Sequence, residues 1–195
     1  ALAMSLSLVA CGGDKQPTNT DTAPGNTEST TPVQRDDLTV ILGAEFTTLD
    51  PQMLPAVADI NFCSNIFDGL VALDEDGQVV PKLATDWTMS DDGMSYTFHL
   101  RQGVKFHNGN DFTADDVKLS VERYMEQTWM QFAPFCVAGC EIVDEYTVTI
   151  NLKYAYANFL NMLWYCAIID SDYYNSVSAE EFARNPVGTG PYKFV

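Results

Sequence analysis

The chain has 195 residues, 27 acidic and 10 basic side chains, and a formal net charge of −17. That balance all but excludes nucleic acid and excludes anionic membrane surfaces, since both need clustered Lys and Arg. Apolar residues make up 46%, enough for a packed core and too many for wholesale disorder. No apolar run reaches the length of about 18 residues that a mature transmembrane helix needs.

Both ends read as cut. Ala1 lies inside an apolar segment, and Tyr192-Lys193-Phe194-Val195 reads as a strand with no turn after it. The chain is therefore expected to be a fragment of a longer protein. Residues 1–10 carry no charge and have the length of a signal-peptide core. The segment ends Leu8-Val9-Ala10-Cys11-Gly12, which resembles the lipobox of bacterial lipoproteins, with Cys11 as the lipidated residue. The plainer alternative is a buried apolar helix that ends in Cys. Residues 12–37 are rich in Thr, Pro, Asn and Gly. They lack the apolar surface to offset ordering entropy, so 11–37 reads as a lipidated Cys and flexible tether. This order of segments predicts a domain held outside the cytoplasmic membrane.

The globular pattern opens with Leu38–Leu42, a β-branched run that reads as a buried strand. A turn-rich loop through Leu49-Asp50-Pro51 follows. Apolar spacing predicts a helix over 59–70. Two hairpins follow, 70–73 with 78–80 and 86–89 with 95–101, around Asp74–Gly77 and Ser90–Gly93. In the last of these strands Tyr96, Phe98 and Leu100 share one face. Thr113 and Asp116 predict a capping box opening a helix with Val117, Leu119, Val121, Tyr124 and Met125. Residues 141–152 alternate like a hairpin turning at Asp144-Glu145. Phe159–Ile169 reads as a buried helix, and Ser178 with Glu181 as the cap of a short one. Pro186–Pro191 is a Gly/Pro-rich crossover into the final strand.

Few residues suggest chemistry. His99 sits on the polar face of a strand and His107 in a turn, so neither a zinc site nor a Ser-His-Asp arrangement assembles. No metal and no cofactor is expected. The acidic pairs, such as Asp115-Asp116 and Glu180-Glu181, fall in turns and first helical turns, where carboxylates serve caps and dipoles. Cys136 and Cys140 are either a local disulfide or buried thiols. Gly188-Thr189-Gly190 lacks the Lys-Ser/Thr of a phosphate loop and reads as a hinge or crossover. Trp129, Met130, Phe132 and Phe135 are either packing beneath a loop or the wall of an apolar pocket.

Residues 69–123 resemble the N-terminal signature of family 5 extracellular solute-binding proteins, which serve ABC transporters for oligopeptides, dipeptides and nickel. The resemblance rests on Gly69-Leu70, Pro81-Lys82-Leu83-Ala84, Trp87, Asp92-Gly93, Tyr96–Arg101, Gly103–Phe106, Asn108-Gly109 and Thr113–Val117. Leu49-Asp50-Pro51 and Pro186–Tyr192 match in the expected order. The family implies an α/β, periplasmic-binding-protein-like architecture of type II, here incomplete. Its first lobe would start at 38–69, be interrupted by a small α/β domain at 70–186, and resume at 187–195. A second lobe, with much of the ligand-reading chemistry, would follow. The resemblance implies ligand contacts from the loop after Pro51, namely Met53, Leu54, Pro55, Ala56 and Val57, with Trp129 and Phe132. Phe46 departs from the Pro common before Leu-Asp-Pro, and the Cys136–Cys140 segment is not a family feature. The expected partners are a peptide or other small solute, the ABC permease with its ATPase, and the membrane through a lipid anchor. Capture, not catalysis, is expected. The alternatives are nickel or another solute on the same fold, a surface signalling lipoprotein, and last an extracellular hydrolase using paired carboxylates.

Overall fold

The computed structural model describes residues 48–53, 57–126 and 134–195. The apolar leader, the tether, Leu38–Leu42, Phe46, Leu54–Ala56, Trp129 and Phe132 lie outside the described residues.

Helix α1 spans Val57–Cys63. It stops short of the expected 59–70 because polar side chains take over the backbone's acceptors. Ser64 Oγ and Asn65 Nδ2 both donate to Asn61 O, at 3.1 and 2.7 Å. The chain tightens there, with Ile66 N–H reaching Cys63 O, as Ser and Asn favour near helix ends. The apolar spacing nonetheless marked burial correctly: Ile66, Phe67 and Leu70 are all buried.

Strands β1 (Val71–Leu73) and β2 (Val79–Pro81) form a small antiparallel hairpin. Asp74 Oδ1 accepts from the Asp76 and Gln78 amides, and Gly77 takes φ 74°. β3 (Ala84–Met89) and β4 (Ser95–Leu100) form the second hairpin. Helix α2 (Ala114–Met125) follows. After a 3-10 turn at Pro134–Cys136 come β5 (Val137–Asp144) and β6 (Thr147–Leu152). The four strands form one antiparallel sheet in the order β3-β4-β6-β5. Its register pairs Tyr96 with Ile150 and Phe98 with Val148. That register puts Tyr96, Phe98, Leu100, Val148, Ile150 and Leu152 on one buried face. α2 covers this face over β5 and β6, with Val117, Val121 and Tyr124 turned in.

Three short helices complete the described chain: α3 (Phe159–Leu163), α4 (Ser171–Ser176) and α5 (Ala179–Phe182). The helix expected over 159–169 ends at Leu163, because residues 167–168 pair instead with 68–69. Gly69 and Ala167 form an antiparallel bridge, and Ile168 N–H reaches Asp68 O at 2.9 Å. Ser178 caps α5, accepting from the Glu181 amide at 3.2 Å. The expected final strand is absent: residues 192–195 belong to no strand, and Tyr192 N–H bonds Asn65 O at 3.1 Å. Two cores result. One lies under the sheet, and a smaller one gathers Cys63, Ile66, Phe67, Ile169 and Phe182.

Candidate functional site

The Leu49-Asp50-Pro51 motif begins a buried anchor. Asp50 accepts from its own turn, the Gln52 amide reaching Oδ1 at 3.1 Å. Arg123, near the end of α2, closes a fork on it. Its Nη1 donates to Asp50 Oδ1 and to Gln52 Oε1, both at 2.9 Å, and its Nη2 to Asp50 Oδ2. Both charged side chains are almost enclosed, 11% exposed for Arg123 and 8% for Asp50. The guanidinium lies over the Tyr174 ring at 4.9 Å and the Phe182 ring at 5.5 Å. Burial pulls the Arg123 pKa down, but the Asp50 carboxylate outweighs it and leaves the group above its ordinary value.

The anchor belongs to a polar stripe on α2 that the apolar reading passed over. Asp116, Ser120 and Arg123 recur at helical spacing, i, i+4 and i+7. Each reaches outside the helix. Asp116 Oδ1 accepts the Ser171 amide at 2.8 Å, and Ser120 Oγ the Ile169 amide at 3.0 Å. Gln52 Nε2 bridges Ser120 O and Ala167 O, at 2.9 and 3.1 Å. One helix face thus fixes both the 167–171 segment and the start of the loop.

Gln52 is 5% exposed, Met53 37% and Val57, which opens α1, 70%. Of the expected ligand contacts, Met53 and Val57 are therefore exposed apolar groups. Leu54, Pro55, Ala56, Trp129 and Phe132 lie outside the described residues. Beside Pro51 opens a cavity of about 170 Å³, lined among others by Ile60, Cys63, Phe67, Lys82 and Trp164.

A second, polar cleft of about 730 Å³ lies between the N-terminus of α2 and α4. It bears on the hydrolase reading, because Asp116 and Asp170 both line it. Burial pushes the Asp116 carboxyl up, against hydrogen bonds from Ser171 and Thr113 that pull it down. A raised carboxyl in a cleft is a catalytic signature only when it faces a substrate. Here both groups are engaged in structure. Asp116 Oδ2 accepts the Thr113 amide at 2.8 Å, completing the predicted cap. Asp170 caps α4 through Tyr173 N–H at 3.0 Å and takes the Asn108 and Asn110 amides at 2.7 and 2.8 Å.

Gly188 and Gly190 lie against the backbone of residues 65–66. A Cβ at Gly188 would sit 2.1 Å from Ile66 O, and one at Gly190 2.6 Å from Ile66 C. Glycine is required there by close approach. Between them Thr189 Oγ1 donates to Asp68 Oδ2 at 3.0 Å. His107 is structural: its Nδ1 faces the Gly188 N–H at 3.4 Å, which leaves Nε2 to donate to Gly190 O at 2.8 Å.

The alternative of a Cys136–Cys140 disulfide gives way to buried thiols. Among the described residues all four cysteines are thiols, and all are buried. Cys140 lies within β5, so strand rise places it roughly 10 Å or more from Cys136, against about 4.4–6.8 Å between bridged Cα atoms. Burial pushes the Cys63 and Cys140 thiols up to about 12, and raises Cys136 and Cys166 as well. Iodoacetamide at pH 8 is therefore expected to leave these four unmodified in the native protein and to alkylate all of them in guanidinium without reductant, as read by peptide mapping. Fast native labelling of Cys63 or Cys140, or protection of Cys136 and Cys140 in guanidinium, would contradict this.

Residues 78–195 match the family profile of bacterial extracellular solute-binding proteins, family 5, middle region. The chain is 37% identical over 161 residues to a glutathione-binding protein, GsiB, of Salmonella typhimurium, covering 80% of this chain. It spans about a third, 31%, of that relative's length. Among solved structures it superposes on the periplasmic binding protein DppA of Helicobacter pylori in complex with the peptide STSA, with TM-score 0.70 and 32% identity over 78% of this chain and 35% of the other. It also superposes on NikZ of Campylobacter jejuni in complex with Ni(L-His), with TM-score 0.66 and 32% identity over 78% of this chain and 31% of the other.

Proposed function

This chain belongs to the bacterial extracellular solute-binding proteins of family 5, and from that membership we propose that it is the N-terminal part of the substrate-binding lipoprotein of an ABC importer for peptides. The observation that carries the reading is the Asp50–Arg123–Gln52 anchor, which fixes the residues leading into the candidate binding loop, where Met53 is exposed. A peptide is favoured because DppA is bound to one and GsiB is named for glutathione.

The division into leader (1–10), lipidated Cys11 with its tether (11–37), first lobe (38–69 and 187–195) and inserted domain (70–186) belongs to the same proposal. Gly188–Gly190 is then the crossover back to the first lobe. The mechanism is capture: a second lobe closes on the first around the ligand, and the closed form is presented to the permease. No step requires bond chemistry, in keeping with Asp116 and Asp170 serving as caps. Ni(L-His) in NikZ supports a second reading, a nickel chelate on the same fold.

The test is thermal unfolding of the full-length protein with a panel of glutathione and di- to pentapeptides. A ligand at about 100 times its Kd adds about 2.7 kcal/mol, so at least one peptide is expected to raise Tm by several degrees. No shift with any peptide, alongside a shift with Ni(L-His) or a sugar, would overturn the peptide assignment.

A further inference from the structure

The turn at 106–110, between β4 and α2, carries the only Asn-Gly pair in the sequence, Asn108-Gly109. Asn108 clamps a buried carboxylate there. Its Nδ2 donates to Asp170 Oδ2 at 2.7 Å, and Asn110 Nδ2 donates to the same oxygen at 2.8 Å. Asp170 is 1% exposed and holds the start of α4 through the Tyr173 amide. Two neutral side-chain amides thus tie α4 to the turn. The same turn carries His107, whose backbone N–H and Nε2 reach Gly188 O and Gly190 O at the crossover.

The pair is arranged to react at its own side chain. A glycine has no Cβ to hinder its backbone nitrogen from attacking the side chain before it. At Gly109 an added Cβ would meet nothing within 4 Å, and residues 108–110 are all exposed. The Asn110 N–H donates to Asn108 Oδ1 at 3.1 Å. It draws electron density from Cγ and faces the oxygen on which charge develops during attack. Two bonds oppose the reaction: Gly109 N–H to Phe106 O at 2.9 Å, and Asn108 Nδ2 to Asp170. Both belong to an exposed turn, the kind of segment that opens locally with little free energy. The cleft of about 730 Å³ that Gly109 and Asn110 line admits the water that completes the reaction.

We propose that Asn108 is a spontaneous modification site, and that its deamidation unlatches α4. The Gly109 nitrogen bonds to Asn108 Cγ, the Cγ–Nδ2 bond breaks, and ammonia leaves with the Gly109 amide proton. The cyclic imide takes up one water and opens to aspartate or isoaspartate. Nothing is oxidised or reduced. In either product residue 108 loses the Nδ2 donor and gains a carboxylate, opposite the buried oxygen that it had satisfied. Asp111, Asp116 and Asp172 line the same cleft, and the only cation among its lining residues, Lys118, is paired with Glu122. The new charge therefore meets repulsion without a counterion, and the clamp on Asp170 opens.

Full-length protein is aged in mildly alkaline buffer at physiological temperature and followed by peptide mapping. Asn108 is expected to gain one mass unit sooner than every other asparagine of the chain, with isoaspartate in the same peptide. Asn108→Asp reproduces the aspartate product without ageing. Hydrogen exchange at its Tyr173 amide is expected to be about 10-fold faster than in wild type or more, the scale of one buried acceptor left unsatisfied. Asn108→Asp combined with Asp170→Asn again sets a donor against an acceptor and keeps a good capping residue, so its exchange is expected within about 3-fold of wild type. An Asn108 that keeps its amide while the chain unfolded in guanidinium loses it would overturn the site. Unchanged Tyr173 exchange in Asn108→Asp would overturn the latch. Should that variant fail to fold, the aged wild type is read at the same amide, with the same two outcomes.

Discussion

Arg123→Leu is expected to destabilise the full-length protein by about 3–5 kcal/mol, a large share of the stability of an ordinary domain. The magnitude comes from the partner left behind. Removing one member of an enclosed ion pair leaves the other charge buried without compensation, and Asp50 is 8% exposed. Gln52 Oε1 loses a donor in the same step. Arg123→Lys retains a charge but not the fork that spans Asp50 and Gln52, so an intermediate loss is expected. Arg123→Leu combined with Asp50→Asn is expected to recover part of the deficit, because the orphaned charge is gone. Urea midpoints of the three variants check this. An Arg123→Leu midpoint equal to wild type would show that the fork contributes nothing net. Peptide affinity of the Lys variant reads the consequence for the loop, whose base would then be less tightly held.

Gly188→Ala ranks next, with an expected loss on the order of 3 kcal/mol, the upper range for overpacking. The added Cβ would sit 2.1 Å from Ile66 O and 2.8 Å from Phe67 Cδ1, and the first of these is backbone that cannot rotate away. Relief requires moving the crossover. That weakens the His107 N–H to Gly188 O and Gly190 N–H to Ile66 O hydrogen bonds, at 2.9 and 2.8 Å. Gly77→Ala is the informative control. Its φ of 74° is unfavourable for alanine, yet nothing lies within 4 Å of the added atom. The expected loss there is only about 1 kcal/mol. A loss at Gly188 no larger than that at Gly77 would contradict close approach as its requirement, since Gly188 lies outside the left-handed region.

What the sequence disclosed and what it concealed divide along the range of the interaction. Alternation at Tyr96, Phe98 and Leu100 is a period-2 signal, and it placed their buried face correctly. The Thr113–Asp116 cap and the Asp74–Gly77 turn each span four residues, so both were legible. The family signature added the architecture, because its motifs occur in order along the chain. The Asp50–Arg123 fork spans 73 positions, and no local pattern announces such a pairing. A signal did exist on one side: Asp116, Ser120 and Arg123 share one helix face, and polar residues at core-facing spacing call for partners. Helix ends were the weakest expectation. α1 and α3 both stop early because of side-chain and long-range backbone hydrogen bonds that hydrophobic spacing does not encode. Cys140 was ambiguous because its fate depended on β5 beginning at Val137, ahead of the alternating stretch.

Native mass spectrometry of the full-length protein tests the central claim most directly. The protein is incubated with an equimolar mixture of glutathione, short peptides, Ni(L-His) and a disaccharide, and the bound mass is read from the complex. One peptide or glutathione per chain is the predicted adduct, reduced in proportion by Arg123→Lys. An adduct of Ni(L-His) or the disaccharide, with no peptide species bound, would contradict the account.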